Sequence, residues 1–353
     1  MVALGGFSIW AAGCDSGAPM TAGGSGGRGA QTAGADGSAG PGAGGAPAGG
    51  TGGRSGGAAG AAGRGMGGGS GGSAGATGRG GAAGQADGGA AGGSGAPSAS
   101  EGCGAGTWPT ASPQMIDVTS GQTTMSRQFY FTVPAGYDPA HPYPVVFAWH
   151  PAGGQASQIV SGRYYNIQPR LPNAIYIAAQ GLMTSMGTTG WPNTGGQDIA
   201  LARALVSWVE QSFCVDKSRL MSTGFSYGAM MSHTISCQMP DVFRALGIMS
   251  GMLVGQGSSG CVAHPIAAWI THGTADTVVP YMGTGTANGI GARDRLLAAN
   301  HCGTTTHPVD PSPCVAYDGC DAGYPVIWCP VDGEGHAIPS FAGTAIASFF
   351  SSF

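Results

Sequence analysis

Gly224-Phe225-Ser226-Tyr227-Gly228 follows a short strand-like run, Arg219–Thr223, and opens a stretch of helical character from Tyr227 onward. A serine with glycine two residues before and two after it, where a strand passes into a helix, is the sequence form of a nucleophile elbow. Such a turn is so tight that a side chain at either flanking position would collide with the turn itself, so both must be glycine. The strand–turn–helix setting separates this pentapeptide from a chance occurrence in a chain with 70 glycines.

Outward from the elbow the pattern alternates. Phe129–Val133 reads as a strand stopped by Pro134, and Pro144–Trp149 and Ala174–Ala178 are unbroken apolar runs, as strands buried on both faces should be. Asp198–Phe213 places Leu201, Leu205, Trp208 or Val209, and Phe213 on one helical face. Beyond Ser226 come strands at Ala245–Met249 and Ile266–Thr271, a helix at Ala292–Asn300, a strand at Tyr324–Cys329 and a closing helix at Thr344–Phe353. This order predicts an α/β fold, an α/β-hydrolase with a mostly parallel twisted sheet and helices on both faces.

A serine hydroxyl needs a base, and this fold supplies one later in the chain, in the order Ser, acid, His. His336, in Asp332-Gly333-Glu334-Gly335-His336, follows the last strand in a glycine-rich loop, where open α/β sheets place their sites. His301, at a helix end, and His307, in a polar loop, read as structural. For the acid, Asp276 in His272-Gly273-Thr274-Ala275-Asp276 directly follows a strand. Asp294 falls inside a helix, Asp310, Asp318 and Asp321 fall in loops between cysteines, and Asp332 and Glu334 are too near His336 in sequence to orient it. Ser226, Asp276 and His336 are therefore the expected nucleophile, acid and base. Activity is expected to fall at acid pH, because a protonated base cannot accept the serine proton. The oxyanion donors are expected from the N–H of Tyr227 and, in the loop after the early strand, from Ala152, since Pro151 has no N–H. These groups complete the chemistry, so no cofactor is expected. No metal is expected either, because no two cysteines stand in CxxC spacing and there is no HExxH.

Composition divides the chain. Residues 1–100 hold 39 of the 70 glycines. Residues 1–14 end in Ala11-Ala12-Gly13-Cys14 and resemble the end of a bacterial lipoprotein signal, with Cys14 as the lipidated residue and membrane attachment as the consequence. The apolar run is short of the roughly 20 residues needed to span a bilayer, and it lacks a basic n-region. Residues 15–101 form a Gly/Ala/Ser-rich linker that cannot bury enough apolar surface to offset its chain entropy and is expected to be disordered. As a flexible coil it would span roughly 50 Å. Residues 102–353 suffice for one α/β domain. Apart from Cys14, eight cysteines lie between Cys103 and Cys329, which implies up to four disulfides, an oxidising compartment and an extracellular or cell-surface location. With a net charge of −4 and Lys217 as the only lysine, there is no basic stripe for nucleic acid. A monomer is expected.

Several stretches resemble secreted feruloyl esterases: Gly190-Trp191-Pro192-Asn193, Gly196-Gln197-Asp198, Cys214-Val215-Asp216, Gly224–Ser232, Asn300-His301-Cys302, and the tail from Tyr317-Asp318-Gly319-Cys320 to Phe350. Acetylxylan esterases and polyhydroxybutyrate depolymerases belong to the same group. The resemblance covers about residues 102–353 and implies hydrolysis of hydroxycinnamate esters on plant cell-wall polysaccharide by Ser226, Asp276 and His336. Ala229 departs from a further glycine common in the family, and the lipoprotein-like head suggests a bacterial, surface-held version. Related sequences act on acetyl, feruloyl and hydroxyalkanoate esters, so a polyhydroxybutyrate depolymerase or acetylxylan esterase stands as an alternative. A catalytically inactive surface-binding protein is a third, disfavoured by the intact Ser, Asp, His order. Trp191 is either a stacking platform for an aromatic acyl group or sugar, or a packing residue of its loop. Tyr281 and Met282 are candidates to line the pocket.

Overall fold

The computed structural model describes residues 98–258, 261 and 264–353. The signal expected at 1–14 and nearly all of the linker expected at 15–101 lie outside the described residues. The elements run β1 (Gln114–Ser120), β2 (Thr123–Thr132), β3 (Tyr143–Trp149), α1 (Ala156–Ser161), α2 (Arg163–Asn166), β4 (Ile175–Ala179), β5 (Leu182–Met183), β6 (Thr189–Gly190) and α3 (Gln197–Ser212). They continue with β7 (Val215–Phe225), α4 (Tyr227–Gln238), β8 (Ala245–Met249), β9 (Ala267–Gly273), α5 (Gly289–Ala299), β10 (Thr306–Pro308), β11 (Val315–Tyr317), β12 (Val326–Val331) and α6 (Ala342–Phe350).

Ten strands form one sheet in the order β1-β2-β4-β3-β7-β8-β9-β12-β11-β10. The six from β4 to β12 are mutually parallel, and the strands beyond them on each side pair antiparallel. The parallel strands are apolar throughout because both faces are covered. Along β3 the side chains alternate between two cores: Val145, Phe147 and Trp149 pack with Leu201 and Leu205 of α3, Met231 of α4 and Leu296 of α5. Val146 and Ala148 pack with Ile159 of α1 and Ile346 of α6. Each large aliphatic or aromatic side chain so buried contributes about 1.5–3 kcal/mol relative to exposure, which fixes the register of β7 and hence the point where it ends.

Residues just ahead of 102 pair with the end of α3 and the start of β7. The Ser98 carbonyl accepts from the Lys217 N–H at 2.8 Å, and the Ser100 hydroxyl donates to the Phe213 carbonyl at 2.7 Å while accepting from the Val215 N–H at 2.9 Å. Cys103 is disulfide-bonded to Cys214. This strap lies at the Val215 end of β7, the end away from Ser226. The other disulfides join Cys237 to Cys261, Cys302 to Cys320 and Cys314 to Cys329, so all eight cysteines of the domain are paired.

At Gly228 a Cβ would run into the carbonyl of Trp149, and at Gly224 it would run into the backbone of Gly228. The first turn of α4 can lie this close to the end of β3 only without side chains. Gly228→Ala is therefore expected to destabilise the domain by about 1–3 kcal/mol, read as a lower urea midpoint with an unchanged slope. A wild-type midpoint would show that the helix can move off β3 freely.

Candidate active site

Ser226 occupies the turn between β7 and α4 with φ 55° and ψ −117°, a conformation that side-chain-bearing residues rarely adopt. Its N–H donates to the Met249 carbonyl at 3.0 Å, and its carbonyl accepts from Met230 at 2.9 Å, so the backbone is anchored on both sides of the strained residue. Strain of this kind persists only where the surrounding structure over-determines it.

The structure brings Asp276 and His336 together across 60 residues: His336 Nδ1 and Asp276 Oδ2 are 2.7 Å apart. The His336 ring lies against the ring of Phe225, the residue before the serine, with centroids 4.7 Å apart. His336 therefore sits beside the elbow. The two loops carrying acid and base are stitched together. Ala275 N–H donates to the Glu334 carbonyl at 2.9 Å, Thr274 N–H to the Val331 carbonyl at 2.9 Å, and Thr274 Oγ1 to Asp332 at 3.1 Å. Asp332, set aside as the acid on sequence grounds, thus helps to hold the acid loop. Gly273 must be glycine because the Glu334 and Gly335 carbonyls occupy the place of a Cβ.

Asp276 Oδ1 accepts the N–H groups of Val278 and Val279, both at 2.9 Å. Burial alone would raise its carboxyl, but hydrogen bonds from His272, His336 and the Val279 N–H outweigh that and hold it well below the usual carboxylate range. The carboxylate is therefore ionised at neutral pH, the state needed to orient an imidazole.

Around the expected oxyanion position, the N–H of Gly153 is taken by the Thr189 carbonyl at 2.9 Å and that of Gly154 by the Pro151 carbonyl at 3.0 Å. Among the described hydrogen bonds none uses the N–H of Ala152 or of Tyr227, the two donors expected from sequence. His150, ahead of this loop, is fully buried. Its Nδ1 lies 2.8 Å from the Pro151 carbonyl and its Nε2 accepts the Gly181 N–H at 2.8 Å. An acceptor at one nitrogen and a donor at the other fix the neutral tautomer with the proton on Nδ1. Burial, aided by the Arg127 charge, pushes this histidine below its usual range against the pull of the Pro151 carbonyl.

Trp191 is only 4% exposed. Its indole N–H donates to the His150 carbonyl at 2.8 Å and its ring meets Trp149 edge-on at 5.1 Å. Of its two sequence-level roles, packing is the one this geometry gives it, as a brace under the Ala152 loop. Tyr281 is half-buried and stacks on Trp328 at 6.0 Å behind the acid loop, whereas Met282 is 70% exposed. His301 and His307 pair with Asp321 and Asp318 at the surface, and Asp294 pairs with Arg293.

Sequence reasoning missed the buried pair Arg127–Asp198, 3.0 Å apart. Asp198 Oδ2 also accepts the Asn193 N–H at 2.8 Å, while Asn193 Oδ1 accepts from Asp198 and Ile199. This network fixes the Trp191–Asn193 loop to the start of α3. The only sequence signal was the charged Arg127 among the inward positions of β2. His272 was also missed. It ends an apolar strand and looks like a core residue, yet its Nε2 lies 3.4 Å from Asp276 Oδ2.

The sheet order and the serine at the turn after the long central strand define an α/β-hydrolase. The prolyl oligopeptidase family profile matches residues 187–257, the span that contains the elbow. Feruloyl esterase D of Neurospora crassa is 32% identical over 253 residues, covering 67% of this chain and 81% of that protein. A probable feruloyl esterase C of Aspergillus terreus is 31% identical over 263 residues, covering 71% and 89%. Among solved structures, an acetyl xylan esterase from Aspergillus awamori matches 69% of this chain and 100% of its own with a TM-score of 0.54 at 17% identity, a likeness of fold. The chain belongs to the feruloyl esterase family.

His233, on α4, is buried, and burial together with the nearby charge of Arg295 pushes it down to about 3. An unfolded histidine takes up its proton near 6.5. Between those values unfolding binds a proton that the folded state refuses, so stability falls as pH falls, by about 1.4 kcal/mol per pH unit for this group. The melting temperature is expected to drop from pH 7 to pH 5, with a shallower drop in His233→Gln. Equal slopes would show that His233 is not held neutral.

Proposed function

We propose that this chain is an exported serine esterase that releases hydroxycinnamates from plant cell-wall polysaccharide through an acyl-enzyme, with Ser226 as nucleophile, His336 as base and Asp276 as acid. The observation that carries this reading is the 2.7 Å contact of His336 Nδ1 with an ionised Asp276, beside the strained serine. With Nδ1–H held by the carboxylate, Nε2 is the free lone pair. It takes the Ser226 proton as Oγ attacks the ester carbonyl carbon. The tetrahedral oxyanion is received by the N–H groups of Tyr227 and Ala152, each worth about 2.7–4 kcal/mol in the transition state. His336 then gives its proton to the leaving sugar oxygen. Water, deprotonated by the same nitrogen, then attacks the acyl carbon, and His336 passes that proton to Ser226 Oγ as it leaves, freeing the acid.

The acyl preference is supported by the surface at this end of the sheet. Among the described residues, the strongly exposed large apolar side chains are Met115, Met183, Met186, Val278, Met282 and Ile338. All but Met115 lie on the β5–β6 hairpin or within a few residues of Asp276 and His336. The hairpin follows β4, two strands to one side of β7, and the acid loop follows β9, two strands to the other. Soft apolar side chains on both flanks suit an aromatic acyl group. They also favour the second reading, a polyhydroxybutyrate depolymerase working on an apolar polymer; an acetylxylan esterase would have less use for them.

Four disulfides fit an oxidising, extracellular setting. We extend this to a cell-surface enzyme, with 1–14 as a lipoprotein-type signal, Cys14 lipidated and 15–101 as the linker to the domain. The enzyme works as a monomer, without a cofactor, metal or nucleic-acid partner.

The test is a comparison of methyl ferulate, acetylated xylan and a hydroxybutyrate oligomer as substrates for the protein made under oxidising conditions. Methyl ferulate is expected to be cleaved fastest, and Ser226→Ala to lose about a million-fold in kcat. Preference for the hydroxybutyrate oligomer would transfer the function to the second reading, and an active Ser226→Ala would remove the nucleophile assignment.

A further inference from the structure

His272, the penultimate residue of β9, has a fully buried side chain and no part in the proton transfers just described. Its Nε2 lies 2.8 Å from the Val279 carbonyl and 3.4 Å from Asp276 Oδ2. Both neighbours are acceptors, so Nε2 carries the proton. Nδ1 has no protein partner among the described residues and needs none in that tautomer beyond, at most, a buried water. The imidazole therefore donates its one N–H to the carbonyl at the close of the acid loop, with the carboxylate oxygen that meets His336 at the longer distance of 3.4 Å.

The ring has little freedom. Tyr281 and Trp328 lie against it with centroids 6.0 and 6.4 Å away, and a Cβ at Gly289 would stand 2.5 Å from its Nδ1. Gly289 itself donates to the Pro280 carbonyl at 2.9 Å, so the start of α5 closes the same loop. On Asp276, Oδ1 is held by two backbone N–H groups at 2.9 Å, which leaves rotation about the carboxylate to be decided at Oδ2. There the donors are two imidazoles, His336 from the solvent side and His272 from the core.

We propose that His272 is a positioning residue for the acid: its Nε2–H, shared by Val279 O and Asp276 Oδ2, keeps that oxygen in line with His336 Nδ1. The carboxylate is then clamped between two histidines, one that reacts and one that does not. The proposal rests on the assignment of Asp276 and His336 given under Proposed function. It goes beyond that assignment by giving the buried histidine a part in the rate and not only in stability.

The consequence is a graded one. Misplacing a catalytic group by about 1 Å can cost about a hundred-fold. The experiment measures the rate of covalent labelling of Ser226 by a fluorophosphonate, and kcat and KM on 4-nitrophenyl acetate, for wild type, His272→Phe, His272→Gln and Gly289→Ala. All are assayed well below their melting temperatures. A glutamine amide reaches about as far as Nε2 and can donate; phenylalanine fills the space without a donor. His272→Phe is expected to label and turn over about a hundred-fold more slowly with KM little changed, and His272→Gln to recover most of the loss. Gly289→Ala, which keeps the histidine but crowds it, is expected to slow labelling as well and carries the test should His272→Phe not fold. The downfield proton resonance of the His336–Asp276 hydrogen bond is expected in wild type and His272→Gln and to shift or broaden in the other two. A merely structural histidine would lower the melting temperature and leave the labelling rate and the resonance unchanged, and that result overturns the proposal while the nucleophile assignment stands. Absence of labelling in the wild type would overturn both.

Discussion

The close passage of Gly228 under the Trp149 carbonyl is the contact on which the catalytic end depends. It lets α4 start against β3, and that in turn forces Ser226 into φ 55° and ψ −117°. A residue with a side chain in such a region is strained by about 1–3 kcal/mol. The strain is held because β7 lies at the centre of the parallel sheet, with β3 and β8 on its two sides. The Trp149 carbonyl also accepts the Tyr165 hydroxyl at 2.6 Å, so the second core supports the contact from beneath. In the proposed mechanism, a serine on so rigid a turn loses little freedom on reaching its attack geometry, which is where much of the advantage of an oriented group arises.

Around that turn the polar groups are arranged in two supporting layers. On one side, His150, Trp191, Asn193, Asp198 and Arg127 brace the Ala152 loop and the Trp191–Asn193 loop. On the other, His272, Thr274 and Asp332 brace the acid and base loops. Buried polar groups of this kind are costly if left unpaired and rigidifying when paired. The histidines at 150 and 272 have tautomers set by their neighbours, and those at 150 and 233 resist protonation because of burial. Acid pH is therefore opposed to this end of the molecule through core histidines that must stay neutral.

The β10–β12 edge is built differently. β10 and β11 have three residues each, too few for pairing alone to hold them. Cys302–Cys320 and Cys314–Cys329 close loops of 18 and 15 residues across this edge. In the chain-entropy account a loop of that size is worth about 3 kcal/mol. β12 leads directly into the loop of His336, so disulfides at the sheet edge help to fix where the base loop begins.

The sequence by itself determined the alternating strands and helices, the elbow, and the identity of Ser226, Asp276 and His336 as the residues to test. Each rests on a local pattern: apolar runs such as 144–149, helical spacing such as 198–213 (found at Gln197–Ser212), and glycines at fixed offsets from a serine. Local patterns are legible because backbone sterics and side-chain period act over a few residues. The β5–β6 hairpin was not legible, since two-residue strands have no period. The Cys103–Cys214 disulfide and the Arg127–Asp198 ion pair were not legible either, because partners 111 and 71 residues apart meet only once the sheet has set its order. The burial of Trp191 was not legible, because sequence leaves burial open for any aromatic residue in a loop. His272 is the clearest case. In the sequence it is the polar end of an apolar strand, and only the folded acid loop, which turns Asp276 and the Val279 carbonyl back toward one imidazole nitrogen, makes it a neighbour of the reacting groups.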